Sequence, residues 1–343
     1  MNKPPHLEVN TLDEGKKKSM KSRVIVGIIL ALTGLPSLFL GWWVFFVFIS
    51  IFLCVAIYEI ITVRRKKYHW VVWVFTYIIT ISYVYWAFVR ANLSGYLANP
   101  ETFQFSLETY FMEPGISWVA TFLALGGYFV IGLFHKDFDI VDIIFLWAMS
   151  LLVGLGFQCM MFLRYHTIAY ATSQGYDFAT DGLFRFLTSS FLFLFVLMAT
   201  FGNDIMAYFV GVFFGKHKMS PCVSPNKSWE GFYGGWILGG ALAFGFAALV
   251  EATGHPILHS IHIFGEGNMW WAVAILSWTL PLIAVLGDLT LSLIKRFFGI
   301  KDYSKVLAAH GGVLDRVDSL MFCCIFCSIL VVLFEKGLNF FVA

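Results

Sequence analysis

Long uninterrupted apolar blocks constrain this 343-residue chain more than any other feature of its sequence. A helix needs about 20 mostly apolar residues to cross the hydrocarbon of a bilayer, and inside it every backbone N–H and C=O must be paired within the segment or a closed barrel. Such blocks lie at roughly 24–40, 43–63, 70–89, 116–134, 140–163, 183–202, 232–250, 271–290 and 317–334. The sequence therefore predicts an all-α, polytopic integral membrane protein with about nine transmembrane helices. Pro36 shortens the first block, the eighth is read as continuing to Phe298, and the run after Gly202 as a second half-helix, Ile205–Phe214. Composition agrees. Charged residues make up 13% of the chain, where a soluble domain carries about 25%, and aromatic residues make up 19%, as expected where rings sit at headgroup depth.

Orientation follows from the basic residues, which favour the cytoplasmic side of short loops. Residues 1–23 are polar, and Lys16, Lys17, Lys18, Lys21 and Arg23 stand directly before the first apolar run, so a cytoplasmic N-terminus is expected and a cleavable signal peptide is not. With that N-terminus inside, 19 of the 23 Lys and Arg lie in inner segments and 4 (Arg90, Arg164, Arg185, Lys336) in outer ones, with 91–115 and 164–182 as outer loops. The chain then divides into a basic N-terminal segment (1–23), a transmembrane scaffold (24–200) and a C-terminal transmembrane region (201–343) with its polar residues at the cytoplasmic face. Six cysteines are scattered; Cys323, Cys324 and Cys327 lack a partner pair and a polar shell, and read as small residues packed in a helix. His255, His259 and His262 have metal-like spacing, but Pro256 and the lack of nearby acids favour a solvated loop.

The densest polar stretch runs from Gly287 to Asp318. On a continuous eighth helix Asp288, Ser292 and Lys295 share one face, and Asp315 and Asp318 share a face at the start of the last helix. A carboxylate at a membrane margin is costly and keeps a partner or an ion. Three facing carboxylates would repel without a divalent cation, and Mg²⁺, which takes oxygen ligands shared with substrate phosphates, is the natural choice. Lys295, Arg296, Lys301, Lys305 and Arg316 stand around them, and Gly311-Gly312 would let backbone N–H groups approach a phosphate. Acids for metal and bases for phosphate fit phosphoryl or nucleotidyl transfer, which needs positioning and charge neutralisation more than a nucleophilic side chain. Topology signals alone would explain the Lys and Arg, but not Asp288, Asp315, Asp318 and His310 among them. Upstream, Asn203-Asp204 interrupts an apolar run, and Ser224-Pro225-Asn226-Lys227-Ser228-Trp229-Glu230-Gly231 reads as a helix start whose Ser224-Pro225 supplies the cap and first turn.

With those residues laid out, Ser292–Asp318 resembles the signature of the phosphatidate cytidylyltransferase (CDP-diacylglycerol synthase) family. Ser292, Lys295, Arg296, Lys301, Asp302, His310, Gly311, Gly312, Asp315, Arg316 and Asp318 meet its fixed positions at the right spacing, with Ser304 at a small-residue position. Asn203-Asp204, Gly215-Lys216 and Ser224–Gly231 are also similar to the family, so the resemblance covers roughly 200–320. Ala308 stands where the family has Pro or Gly, and Leu291 where many members carry an acid. The resemblance implies that phosphatidic acid attacks the α-phosphorus of CTP, giving CDP-diacylglycerol and pyrophosphate in phospholipid biosynthesis. It implies Mg²⁺ on Asp288, Asp315 and Asp318, with Asp204 a further candidate ligand. Lys295, Arg296, Lys301, Arg316 and Lys227 would hold phosphates, with Ser224, Ser228, Ser292, Asp302, Gly311 and Gly312 completing the substrate-binding set. His310 would orient a phosphate or protonate the leaving pyrophosphate. Partners are then CTP, phosphatidic acid and membrane lipids, with a homodimer implied and no nucleic acid expected. A CTP-dependent polyprenol kinase and a transporter with buried acids are the competing readings.

Overall fold

Runs of Val, Ile, Leu and Phe without a polar outlet for the backbone have one stable course in hydrocarbon, the α-helix. The computed structural model describes residues 27–30, 32–101, 114–173, 183–258, 261–265, 267–307 and 311–336. Its helices are α1 (Gly27–Leu40), α2 (Trp42–Thr62), α3 (Trp70–Ala98), α4 (Trp118–Phe134), α5 (Ile140–Ser173), α6 (Leu183–Phe214), α7 (Trp229–Ala252), α8 (Trp270–Phe297) and α9 (Leu314–Lys336). A short antiparallel hairpin, β1 (Lys218–Ser220) and β2 (Ser224–Ser228), sits between α6 and α7. The chain is thus an all-α, multi-pass membrane protein. Among the described residues six helices (α2 and α5–α9) are long and apolar enough to span a bilayer, and α3, bent by 58° between Trp86 and Phe88, makes a seventh if counted whole. The 17 residues of α4 and the short α1 fall below the about 20 residues a span needs, so nine apolar blocks do not become nine equal spans.

Three local expectations are corrected. Gly202-Asn203-Asp204 does not split α6, which is helical throughout Leu183–Phe214; a flat face of glycines on α7 holds this stretch in place. Ser224-Pro225 does not start a helix. Both belong to β2, where a proline is tolerated in a two-stranded ribbon, and Ser228 caps α7 by accepting from Gly231 N–H at 3.2 Å. Residues 164–173 and 91–98 are not loop but continue α5 and α3. Arg164 is consequently a buried residue, donating to Leu38 C=O at 2.8 Å and to Ser189 Oγ, with its guanidinium against the Phe45 and Tyr165 rings.

Two features position the polar margin. The α6–α7 pair is the most extensive helix contact, and it is built on close backbone approach. A Cβ at Gly239 would lie 2.9 Å from the backbone N and Cα of Asn203. At the other side, α2 leads into a loop whose Arg64 and Lys66 both reach Asp139 and the fully buried Asp142, while Tyr68 donates to Asp142 at 2.5 Å. The Lys66 ammonium, followed by Arg64, holds the Asp139 carboxyl well below the ordinary carboxylate range. Arg64 also lies over the Phe298 ring, 5.7 Å from its centroid, which joins this loop to the end of α8. The centre of the bundle is α9, with Met321, Cys323, Cys324 and Cys327 fully enclosed, so the cysteines are packing residues as expected.

Gly239→Ala should lower the thermal midpoint in detergent, since overpacking at such a site costs about 1–3 kcal/mol. Gly245→Ala, whose Cβ would meet nothing within 4 Å, should leave it unchanged or raise it. A depressed carboxyl stabilises above its unfolded pKa of about 3.9 and ceases to as pH falls through its lower folded value. Amide protection factors over 64–69 should therefore hold from neutral pH to below the ordinary carboxylate range, and Lys66→Ala should move their loss upward in pH.

Candidate active site

The site is assembled at one margin of the bundle from α6, the hairpin, the C-terminal end of α8, the loop after it and the first turns of α9. On α8, Asp288, Ser292 and Lys295 do share a face, with the Ser292 hydroxyl donating to Asp288 at 3.3 Å. Asp288 pairs at 2.5 Å with Lys227 of β2, and Lys295 pairs at 2.7 Å with Asp315 of α9. One helix face thus ties the hairpin on one side and the last helix on the other. The hairpin is fixed in turn by Glu230, which accepts from Lys216 N–H, His217 N–H and the His217 ring.

Asp315 is the organiser of the loop. Its second oxygen accepts from Tyr303 N–H and Gly312 N–H, both at 2.9 Å, so the Gly312 N–H points at a carboxylate of the protein. Gly311 takes φ +80°, where a side chain is strained, and a Cβ there would press on Asp315 at 2.9 Å. Burial, and then the negative charges of Asp315, Asp318 and Glu59, push the Tyr303 phenol upward. It therefore stays a donor, reaching Leu291 C=O at 3.3 Å.

A residue that the sequence reading passed over completes this construction. Glu59, fully buried on α2, accepts from Ser304 Oγ at 2.6 Å, Val313 N–H at 2.8 Å and Leu314 N–H at 2.7 Å. It satisfies the orphan N–H groups that begin α9 and places a negative charge at the positive end of that helix. A Cβ at Gly312 would sit 2.5 Å from the Glu59 carboxylate, which is why only glycine fits there. The signal was present: Glu59 is the lone acid in the apolar block 43–63, and an ionisable residue inside a span marks function or a buried partner.

Asp204 of α6 and Asp318 of α9 complete the acidic set. Asp204 accepts from Asn203 Nδ2 at 3.3 Å and Asp318 from Ser319 N–H at 2.8 Å. Among the described residues neither is ion-paired. The charges of Asp204, Asp288 and Asp318 act on one another, with Lys227 beside Asp204 and Lys295 beside Asp318. A cavity of about 480 Å³ opens here between α6, β2, α7 and α8, with Asp204, Asn226, Lys227 and Ser228 on its wall. The Asn203 Oδ1 atom at this wall is buried with no hydrogen-bond partner among the described residues. Hard oxygen donors on three helices suit Mg²⁺ in kind, and their charge exceeds that of Lys227. No three acidic, His or Cys side chains among the described residues converge on one point, however. Asp315 in particular spends both oxygens on Lys295 and the loop.

Other sequence-predicted residues lie elsewhere. Arg296 donates to Val223 C=O at 3.3 Å and Ile300 C=O at 3.0 Å, fastening the end of α8 to the hairpin turn. Ser224 pairs with Ser220 in the hairpin. Lys301 and Asp302 line a separate cavity of about 270 Å³ with Arg65 and Lys305. Arg316, exposed on α9, borders an apolar groove on the far side of α6. His310 and Ala308 lie outside the described residues, as does His259, while His262 is 3.7 Å from Glu251 at the opposite end of α7.

Comparison with known proteins places the chain in a family. The profile described as the cytidylyltransferase family matches residues 21–334. A phosphatidate cytidylyltransferase of Haemophilus influenzae is 45% identical over 130 residues, 38% of this chain and 42% of the relative. Its counterpart in Mycobacterium leprae is 40% identical over 126 residues, 37% of this chain and 36% of the relative. That of Staphylococcus epidermidis is 34% identical over 164 residues, 48% and 54%. The chain thus spans from about a third to about half of the length of these curated relatives.

Glu59→Gln keeps the shape of the side chain but turns an NH₂ toward a donor, and leaving a buried donor unsatisfied costs about 1–3 kcal/mol. A lower thermal midpoint is expected together with a turnover loss larger than that of a Ser304→Ala variant, measured on the same preparation.

Proposed function

Because this chain belongs to the cytidylyltransferase family, we propose that it transfers the cytidylyl group of CTP to phosphatidic acid, releasing pyrophosphate. The observation that carries the reading is the charge imbalance at the margin: Asp204, Asp288 and Asp318 share one field beside a cavity and have Lys227 as their only ion-pair partner among the described residues. An uncompensated cluster of that kind is stabilised by a divalent cation and its phosphate ligands. Any two of Asp204, Asp288 and Asp318, which do not converge as a trio, would hold Mg²⁺ together with oxygens of the bound phosphates. When bound, the ion neutralises triphosphate charge and polarises the phosphoryl oxygens.

The residues of the chain do the rest. Lys227 is held ready on the cavity wall by Asp288, and it offers a mobile ammonium to the triphosphate. Ser228 caps α7 at the same wall, so the N-terminal dipole of that helix also favours an anion there. Asn203 Oδ1 supplies an acceptor for a donor-bearing ligand. Lys295, locked to Asp315, keeps positive charge beside Asp318 without drifting into the cavity. An oxygen of the lipid phosphate forms the new bond to the α-phosphorus. The bond from that phosphorus to the bridging oxygen of the β-phosphate breaks, and pyrophosphate leaves with the electron pair. The attacking oxygen is already ionised at neutral pH, so no side-chain nucleophile is needed. A cytoplasmic site fits both the distribution of basic residues and the solubility of CTP.

Purified protein supplied with Mg²⁺, phosphatidic acid and CTP labelled in the α-phosphate should place label in the lipid and release pyrophosphate. CDP formed from a polyprenol, with no labelled diacyl lipid, would establish a kinase instead. Asp318→Asn should abolish labelling while the protein still inserts in membranes.

A further inference from the structure

The loop after α8 has a second polar side. Between it and the end of α2 lies the cavity of about 270 Å³, lined by Thr62, Val63 and Arg65 and by residues 300–305. It shares no lining residue with the cavity at Asp204. Val63, Ile300 and Tyr303 are buried at its base, whereas Arg65, Lys301 and Lys305 are exposed at its mouth. Arg65 takes φ 55°, and no other non-glycine residue among the described ones has a positive φ. That conformation is costly for a residue with a Cβ and persists where the surroundings impose it. On either side of it, Arg64 and Lys66 spend their charges on Asp139 and Asp142. Arg65 lines the cavity instead.

Three cations meet one acid here. Arg65, Lys301 and Lys305 have neither an ion pair nor a side-chain hydrogen bond among the described residues. Asp302 does not answer them: its carboxyl carbon would lie 3.5 Å from a Cβ on Gly311, toward α9. The C-terminal end of α2 contributes about half a negative charge, and three full positive charges exceed it even with Asp302 counted. Contact with a bilayer surface explains single exposed lysines at a margin, whereas a basic pocket between helix ends suits a phosphate head group. Arg supplies a fork for phosphate oxygens and Lys a mobile point charge. Pockets for drug-sized ligands run to about 300–1,000 Å³, so this smaller one fits a phosphate group rather than a whole nucleotide.

We infer that this cavity binds a phosphate group, of an anionic lipid head group or of a soluble phosphate, across Arg65, Lys301 and Lys305. The bound group clamps the loop after α8 onto the end of α2. Glu59 and Asp315 hold the same wall from within, since Ser304 donates to Glu59 at 2.6 Å and Tyr303 N–H to Asp315 at 2.9 Å. Closing the joint from outside favours the arrangement in which Asp315 keeps the Tyr303 N–H. The phosphate here binds and does not react, so the inference is independent of the proposed transfer.

The test uses the full chain in nanodiscs without CTP or Mg²⁺. One preparation is phosphatidylcholine in sodium chloride. A second contains about a quarter phosphatidylglycerol, and a third is phosphatidylcholine in sodium phosphate at matched ionic strength. Acetylation of each lysine by a succinimidyl ester is followed by mass spectrometry. Lys301 and Lys305 should react about threefold or more slowly in the second or third preparation. Lys67 and Lys218, exposed at the same margin but outside the cavity, should change less. Protection by phosphatidylglycerol alone identifies a lipid head group, and protection by sodium phosphate identifies a soluble anion; protection by neither would overturn the site. Arg65→Gly suits the positive φ, so the fold tolerates it, and it should abolish the protection. Equal slowing of all four lysines, or protection unchanged in Arg65→Gly, would mean a screened surface rather than a site. Amide exchange at Tyr303 should slow wherever Lys301 and Lys305 are protected. Exchange indifferent to the bound phosphate would overturn the clamp.

Discussion

A single buried carboxylate on α2 holds the polar margin in register with the membrane bundle. Glu59 ties the loop after α8 and the first N–H groups of α9 to a helix 245 to 255 residues away in sequence. Burying a carboxylate is unfavourable unless its lone pairs are filled. Here one hydroxyl and two backbone N–H groups fill them, and the start of α9 supplies a positive end of a helix dipole. The loop can therefore leave its place only by stranding either an acid or the orphan amides of a helix. That coupling makes the position of Asp315 and Asp318 a property of the whole bundle.

The second layer of order is electrostatic. Lys295–Asp315 is almost fully enclosed, with side-chain exposures of 9% and 4%, whereas Lys227–Asp288 is open, at 26% and 28%. Removing one partner of a buried pair costs about 3–5 kcal/mol, but an exposed pair is worth about 0–1 kcal/mol. The two pairs look alike in sequence and differ in role. The enclosed pair fixes the geometry of α8 on α9, and Asp315 adds the loop amides of Tyr303 and Gly312 to it. The open pair keeps an ammonium at a cavity wall from which an arriving polyanion can draw it. Asp204 and Asp318, in no ion pair among the described residues, leave the excess negative charge that a cation would answer.

Much of this was legible in the sequence because hydrocarbon leaves so few choices. Apolar blocks had to be helices, and the spacing of Asp288, Ser292 and Lys295 had to place them on one face. The length of the spans was less legible, since a 17-residue helix and a bent one satisfy the same hydropathy as a straight span. Local signals misled where tertiary packing overrode them. Ser224-Pro225 carries helix-start chemistry, yet hairpin pairing and the Ser228 cap moved the start to Trp229. Asn203-Asp204 reads as a break, yet Gly235 and Gly239 of α7 lie so close that α6 is held straight through it. Arg164 counted as a loop charge because nothing in its own segment announces the carbonyl of Leu38 and the hydroxyl of Ser189 that enclose it. Gly312 seemed suited to a phosphate, and the structure gives it a different reason, the proximity of Glu59. Such partners are far apart in the chain, and one sequence does not pair them.

The division into scaffold and catalytic region is accordingly too sharp a reading of the charge distribution. Charges cluster after residue 200, but the surfaces that align those charges come from both halves. Glu59 of α2 sets the loop, Arg64 of the following turn lies over Phe298 at the end of α8, and α1 and α2 wall an apolar groove bordered by the start of α9. Between that groove and the cavity at Asp204 stands α6, apolar on one face and carrying Asn203 and Asp204 on the other. A helix of that kind keeps an apolar groove apart from a polar cavity within one bundle. That separation keeps the carboxylate of α6 out of hydrocarbon, where an ionised group is costly.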